Sequence, residues 1–125
     1  MKLVTVVNRS RATVIGTRIE VADTFLTRLI GLLGRSRLQS DCGLLIQPSS
    51  GVHTFGMRFP IDVVALDRKF RVIAVWHGLR PWRTSSVNWK THAVLELSSG
   101  RLRSCRVEAG DQLEIAPETA GEVAE

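Results

Sequence analysis

Long apolar runs, paired cysteines and acidic side chains are all scarce in this chain, and each scarcity removes a class of protein. The longest early apolar stretch, Leu3 to Val7, is far shorter than the roughly 20 residues of a transmembrane helix or the core of a secretory signal. No membrane association is expected, and the predicted location is cytoplasmic. Cys42 and Cys105 are the two cysteines, and neither lies in a CxxC pair. In a reducing compartment such isolated thiols are expected to stay free. Acidic residues number 12, and Glu118, Glu122 and Glu125 fall in the last few positions, so residues 1 to 117 carry 17 basic against 9 acidic side chains, a net charge of about +8. Neither an internal repeat nor a regular alternation of strand and helix is visible, which argues against a repeat array and a doubly wound parallel sheet.

What the chain does have is a globular composition. Hydrophobic residues make up 44% and charged residues 23% of the 125 positions, close to soluble averages, so the chain can bury a core without a disulfide or metal staple. One domain over residues 1–116 is expected, followed by a small, acidic, disordered tail over 117–125. Fourteen of the 17 basic residues are arginine, whose planar fork suits phosphate or carboxylate, so an anionic partner has to be weighed against a merely solvated basic face.

Residues 2–8 are rich in β-branched side chains and end in the turn Asn8-Arg9-Ser10-Arg11. Ile19 and Val21 alternate with Arg18 and Glu20, the mark of a half-buried second strand. Thr24 is placed to cap a helix in which Leu26, Leu29, Ile30 and Leu33 form one apolar stripe and Gly34 the stop. Gly43-Leu44-Leu45-Ile46 gives a third strand. Ile61 to Leu66 is apolar on both faces apart from Asp62, as in a strand covered on both sides. Residues 67–70 should turn it into a strand containing Val72, Ala74 and Trp76. The stretch from Gly78 to Lys90 reads as a long loop of the kind that carries function. Ala93 to Leu97 and Gln112 to Ile115 are further strands, and Arg101 to Arg106 a single helical turn. Many short strands with one helix predict an α+β, mainly β fold: a small barrel or two packed antiparallel sheets with the helix closing one end.

The stretch from Val52 to Asp67 concentrates the unusual residues. His53, Thr54, Met57 and Arg58, joined by Trp82 and Arg83 of the long loop, are the expected lining of a cleft in which apolar walls meet a few polar groups. Asp62 shares a strand face with Val64 and Leu66, where a carboxylate is expensive to bury unless paired. Arg58, or Arg28 and Arg35 of the helix, are the expected cationic partners, making Asp62 a structural anchor. His53, His77 and His92 match no zinc spacing, and neither metal nor cofactor is expected.

Several of these residues also carry a resemblance. Thr24, Arg28, Gly31, Leu32 and Arg35; Gly43-Leu44-Leu45 with Pro48; His53-Thr54 and Met57-Arg58-Phe59-Pro60-Ile61-Asp62; Leu66-Asp67; Val94-Leu95-Glu96 with Gly100; and Gly110-Asp111 occur in the order and spacing of the uncharacterised family called domain of unknown function 192, which the chain resembles over about residues 20–115. The resemblance implies a compact β-rich domain with a short helix and supplies no reaction. Phe25, Ser49 and Phe70 depart from the family pattern, with Ser49 standing where related sequences often have cysteine. Phe70 stands where the hairpin often has glycine, so a turn of another geometry is expected here, because a bulky residue tolerates positive φ poorly. Three functions follow as expectations: a binding module for a small anionic molecule or peptide; an enzyme using His53 and Asp62 as an acid/base pair; and an accessory nucleic-acid-binding protein using the arginine face.

Overall fold

The computed structural model describes residues 2–23, 38–49, 59–80 and 89–117. The described strands are β1 (Leu3–Asn8), β2 (Thr13–Ala22), β3 (Cys42–Ile46), β4 (Ile61–Leu66), β5 (Val72–Leu79), β6 (Ala93–Ser98) and β7 (Leu113–Pro117), with one short helix, α1 (Arg101–Cys105), between the last two strands. The fold is α+β and mainly β. Its strands form one sheet in the order β5-β4-β6-β3-β2-β1-β7 rather than two. Pro117, assigned to the tail from the sequence, is the last residue of β7 and pairs with Val4. The predicted helix at 24–34 lies outside the described residues, whereas the predicted turn at 101–106 is α1.

The sheet curls into a half-barrel because its two outermost strands are drawn together at one end. Arg71 and Gln112 form an antiparallel bridge, flanked by Val72 N–H to Asp111 O at 2.8 Å, Gly110 N–H to Val72 O at 2.8 Å and Leu113 N–H to Phe70 O at 3.0 Å. These bonds cover part of the exposed edges that a seven-stranded open sheet would otherwise leave for aggregation.

The turn feeding that closure corrects one expectation. Phe70 does adopt a left-handed conformation, with φ of 61°, at a cost of about 1–2 kcal/mol for a residue with a side chain. Local bonds offset it: Asp67 Oδ1 accepts from Lys69 N–H at 2.8 Å and Arg71 N–H at 3.0 Å, and the Phe70 ring packs against the inner core. In this conformation the Phe70 carbonyl accepts the closure bond from Leu113.

Alternation along the strands sorts the apolar residues into two clusters. On the inner face Val4, Val6, Ile15, Ile19, Leu45, Val64, Leu95 and Leu97 pack together with Leu102 of α1. The outer face of β2, β3, β4 and β6 carries a second cluster, Ala22, Leu44, Ile46, Ile61, Val63 and Val94, also buried. All six residues of β4 are buried, as expected for a strand covered on both sides. Gly43 allows the inner side to close, since a Cβ there would lie 2.6 Å from the carbonyl oxygen of Glu96.

Candidate outer-face site

Asp62 settles its own role first. It is fully buried on the inner face, and its oxygens accept three backbone N–H groups: Gly78 at 2.8 Å to Oδ1, and Gly100 and Leu102 at 3.0 Å each to Oδ2. The carboxylate therefore ties β4 to the end of β5 and caps the first turn of α1, whose leading N–H groups have no partner within the helix. Among the described residues no cation reaches it, and none is needed, because three hydrogen bonds to a charged acceptor hold the charge. A buried carboxylate so occupied offers no surface to a substrate, which removes support for an acid/base pair with His53.

The carboxylate that sequence reasoning missed is Glu96. In the strand register it stands between Leu44 of β3 and Val63 of β4, so its side chain projects from the outer face into the second apolar cluster, and the residue is only 3% exposed. It is not without a partner. Its strand neighbours cannot supply backbone donors, since the N–H groups of β3, β4 and β6 are engaged in the ladders on either side. A side chain or a group from outside the sheet has to meet that charge. The signal was present in the sequence: a carboxylate inside Ala-Val-Leu-Glu-Leu raises the same question as Asp62 inside Ile-Asp-Val-Val.

The connections around Glu96 are placed by the strands they join. β3 ends at Ile46, beside Val94 at the start of β6, whereas β4 begins at Ile61, beside Ser98 at the end of β6. β5 ends at Leu79, beside Ile61, and β6 begins at Ala93, beside Leu66. Each of the two connections thus joins opposite ends of the same stretch of sheet, about 20 Å apart at the rise of a six-residue strand. They start and finish side by side. Ser49 N–H donates to His92 O at 2.7 Å and His92 N–H to Leu66 O at 2.8 Å at one end, and at the other Phe59 and Leu79 both pack on the outer cluster, with Trp76.

These connections contain His53, Thr54, Met57 and Arg58 in one and Trp82 and Arg83 in the other. All six lie outside the described residues, as do Arg28 and Arg35. Of the remaining histidines, His77 is exposed near α1 and His92 takes part in the junction just described. Among the described residues no three His, Cys, Asp or Glu side chains group as metal ligands, and no helix is long and apolar enough to cross a membrane. Cys42 and Cys105 are free thiols. Burial pushes the Cys42 thiol up from its ordinary pKa, assisted by the Asp41 charge and the Sγ to Asp41 Oδ1 bond, with Arg18 acting weakly in the opposite sense. It is therefore a poor nucleophile at neutral pH.

Known proteins resemble this chain in sequence and in fold. The family model described as "Uncharacterized ACR", domain of unknown function 192, matches residues 5–115. A UPF0127 protein of Pyrococcus horikoshii, PH1112, is 31% identical over 111 residues, spanning 86% of this chain and 96% of that protein. Its counterpart PF1050 in Pyrococcus furiosus is 33% identical over 102 residues, spanning 78% and 87%. A protein of unknown function from Novosphingobium aromaticivorans has the same fold, with a TM-score of 0.76 at 24% identity, covering 90% of this chain and 83% of its own. A Sinorhizobium meliloti protein whose description proposes a role in transcription regulation has a TM-score of 0.75 at 21% identity, covering 91% and 92%.

Proposed function

We propose, from the premise that this chain belongs to the uncharacterised family domain of unknown function 192, that it is a cytoplasmic binding module whose site lies on the outer face of the sheet, over Glu96. The observation that carries the reading is the meeting of the two connections at one end, Ser49 with His92, and the packing of Phe59 and Leu79 on the same outer cluster at the other, with a buried carboxylate in the strand between them. His53, Thr54, Met57, Arg58, Trp82 and Arg83 supply the contacts to a small anionic molecule or an acidic peptide. Arg58 is assigned the role of answering the Glu96 charge together with the ligand's, for which the arginine fork has enough donors. Met57 and Trp82 supply the apolar wall beside the charge.

The reading is tested by following backbone amide signals while citrate and a short acidic peptide are titrated into the protein. Saturable shifts at Leu44 to Ser49, Ile61 to Val63 and His92 to Glu96, lost in Arg58→Ala, are expected. If neither probe moves these signals, or if Arg58→Ala binds as tightly as the parent, the outer face is not the site.

A further inference from the structure

At the helix end of the half-barrel lies an open groove of about 520 Å³ whose walls carry Arg11, Arg103, Arg106, His77 and Glu108 and whose floor is Leu102 and Val107. We propose that this groove is a second binding site, independent of the one over Glu96, for a small molecule bearing a phosphate group. The lining carries three guanidinium groups and one carboxylate, which leaves a net charge of about +2 at neutral pH before His77 is counted. The side chains of Arg103 and Arg106 are exposed, and neither makes a hydrogen bond or ion pair to the described residues, so their donors are available.

Arg11 is held in place from behind. Its Nε donates to Asp111 Oδ2 at 2.8 Å, and that same oxygen accepts from Asn8 Nδ2 at 2.8 Å and from the Glu108 backbone N–H at 3.0 Å. The one acidic side chain on the groove, Glu108, is 3.5 Å from Arg11 Nη2, so its charge is already partly answered and competes less with an anion. Arg106 is unusual in another way. It closes α1 in the left-handed conformation, φ 58°, with its N–H to Arg103 O at 3.4 Å and the Val107 N–H to Leu102 O at 3.0 Å. Glycine usually fills that place in a helix terminus of this kind; a cationic side chain is kept there instead, on the lip of the groove, at a backbone cost.

The volume falls in the range of small-molecule pockets, about 300–1,000 Å³. Planar guanidinium forks lining one groove suit a phosphate group, and the apolar floor accommodates a non-polar part of the ligand. A groove of this size favours a small phosphorylated molecule over a nucleic-acid strand, which would need basic residues along an extended track.

Titration of the full chain with inorganic pyrophosphate, read on backbone amides and on the His77 ring, tests the proposal. Saturable shifts at residues 102–108 and at His77 are expected. An Arg103→Ala/Arg106→Gly double variant, in which glycine suits the left-handed position, should weaken binding by about tenfold or more, with the rest of the spectrum unchanged. Arg68→Ala, on the exposed turn after β4, should leave pyrophosphate affinity unaltered. The proposal is overturned if residues 102–108 do not respond, if Arg68→Ala weakens binding as much as the double variant, or if single-stranded oligonucleotides bind more tightly than pyrophosphate with affinity that rises with length.

Discussion

Asp62 and Glu96 stand on adjacent strands, one residue pair apart in the register and on opposite faces, and both are buried. They are accommodated by different means. Asp62 lies near the start of β4, where the pairing with β5 is irregular at Gly78 and α1 begins, so three backbone N–H groups outside any ladder are within reach of its short side chain. Glu96 lies mid-sheet, where ladders on both sides have used the backbone donors. A buried carboxylate at a strand end is thus part of the scaffold, whereas one in mid-strand has to be answered by side chains arriving from elsewhere, and such side chains can also serve a ligand.

The largest expected effect comes from breaking the scaffold half of that comparison. Asp62→Ala strands three N–H groups in or near the interior, and at about 1–3 kcal/mol for each unsatisfied donor the loss in stability should reach about 3–5 kcal/mol by urea denaturation. A loss under about 1 kcal/mol would mean that the helix turn does not depend on this cap.

Glu96 sharpens the contrast through a cycle. On the proposed pairing with Arg58, Glu96→Leu alone should cost about 3 kcal/mol by leaving a buried cation unpaired, while the Arg58→Met/Glu96→Leu double variant should recover most of that loss, since a buried ion pair can be replaced by well-packed apolar residues. If the two single effects simply add, Arg58 is not the partner of Glu96.

A third carboxylate, Asp111, sits between these extremes. Burial works to raise its pKa, but the hydrogen bonds from Arg11, Asn8 and the Glu108 N–H, with the Arg11 charge, more than offset this and leave it below the usual carboxylate range. A folded-state pKa below the unfolded one means a contribution that is complete above the unfolded value and disappears as pH falls through the folded one. Stability should therefore decline below about pH 4, and Asp111→Asn should flatten that decline while lowering stability at pH 7 by about 1–2 kcal/mol. An unchanged acid slope in the variant would show that other groups carry it.

The smallest effect is expected at Thr5, whose buried Oγ1 has no hydrogen-bond partner among the described residues. Thr5→Val should be neutral or stabilising by up to about 1 kcal/mol in thermal melts. A marked loss would mean that the hydroxyl is satisfied in solution by a bound water.

Much of the fold was legible because strand periodicity is local. The alternation in β2, the two-faced burial of β4, the hairpin through Asp67 and the turn at α1 were all read from neighbouring residues. Phe70 departs from the local steric rule in a place where contacts distant in sequence, among them the bond from Leu113 N–H, also act on the turn. Asp62 was assigned a cation because its partners, Gly78, Gly100 and Leu102, are backbone groups with no side-chain signature. Glu96 was passed over as a site residue because the strand pairing that surrounds it with Leu44 and Val63 links segments about 30–50 residues apart.

By itself the amino-acid sequence determined the strands, the single helical turn, the excess of arginine and the family to which the chain belongs, because these depend on periodicity, composition and ordered motifs. Only the tertiary structure decided that one sheet curls shut through Arg71 and Gln112, that Asp62 answers to backbone while Glu96 cannot, and that Arg11, Arg103 and Arg106 share a groove. Those outcomes rest on which distant segments share an edge or a face, and the physical reason is that local preference sets the shape of each strand but not its neighbour.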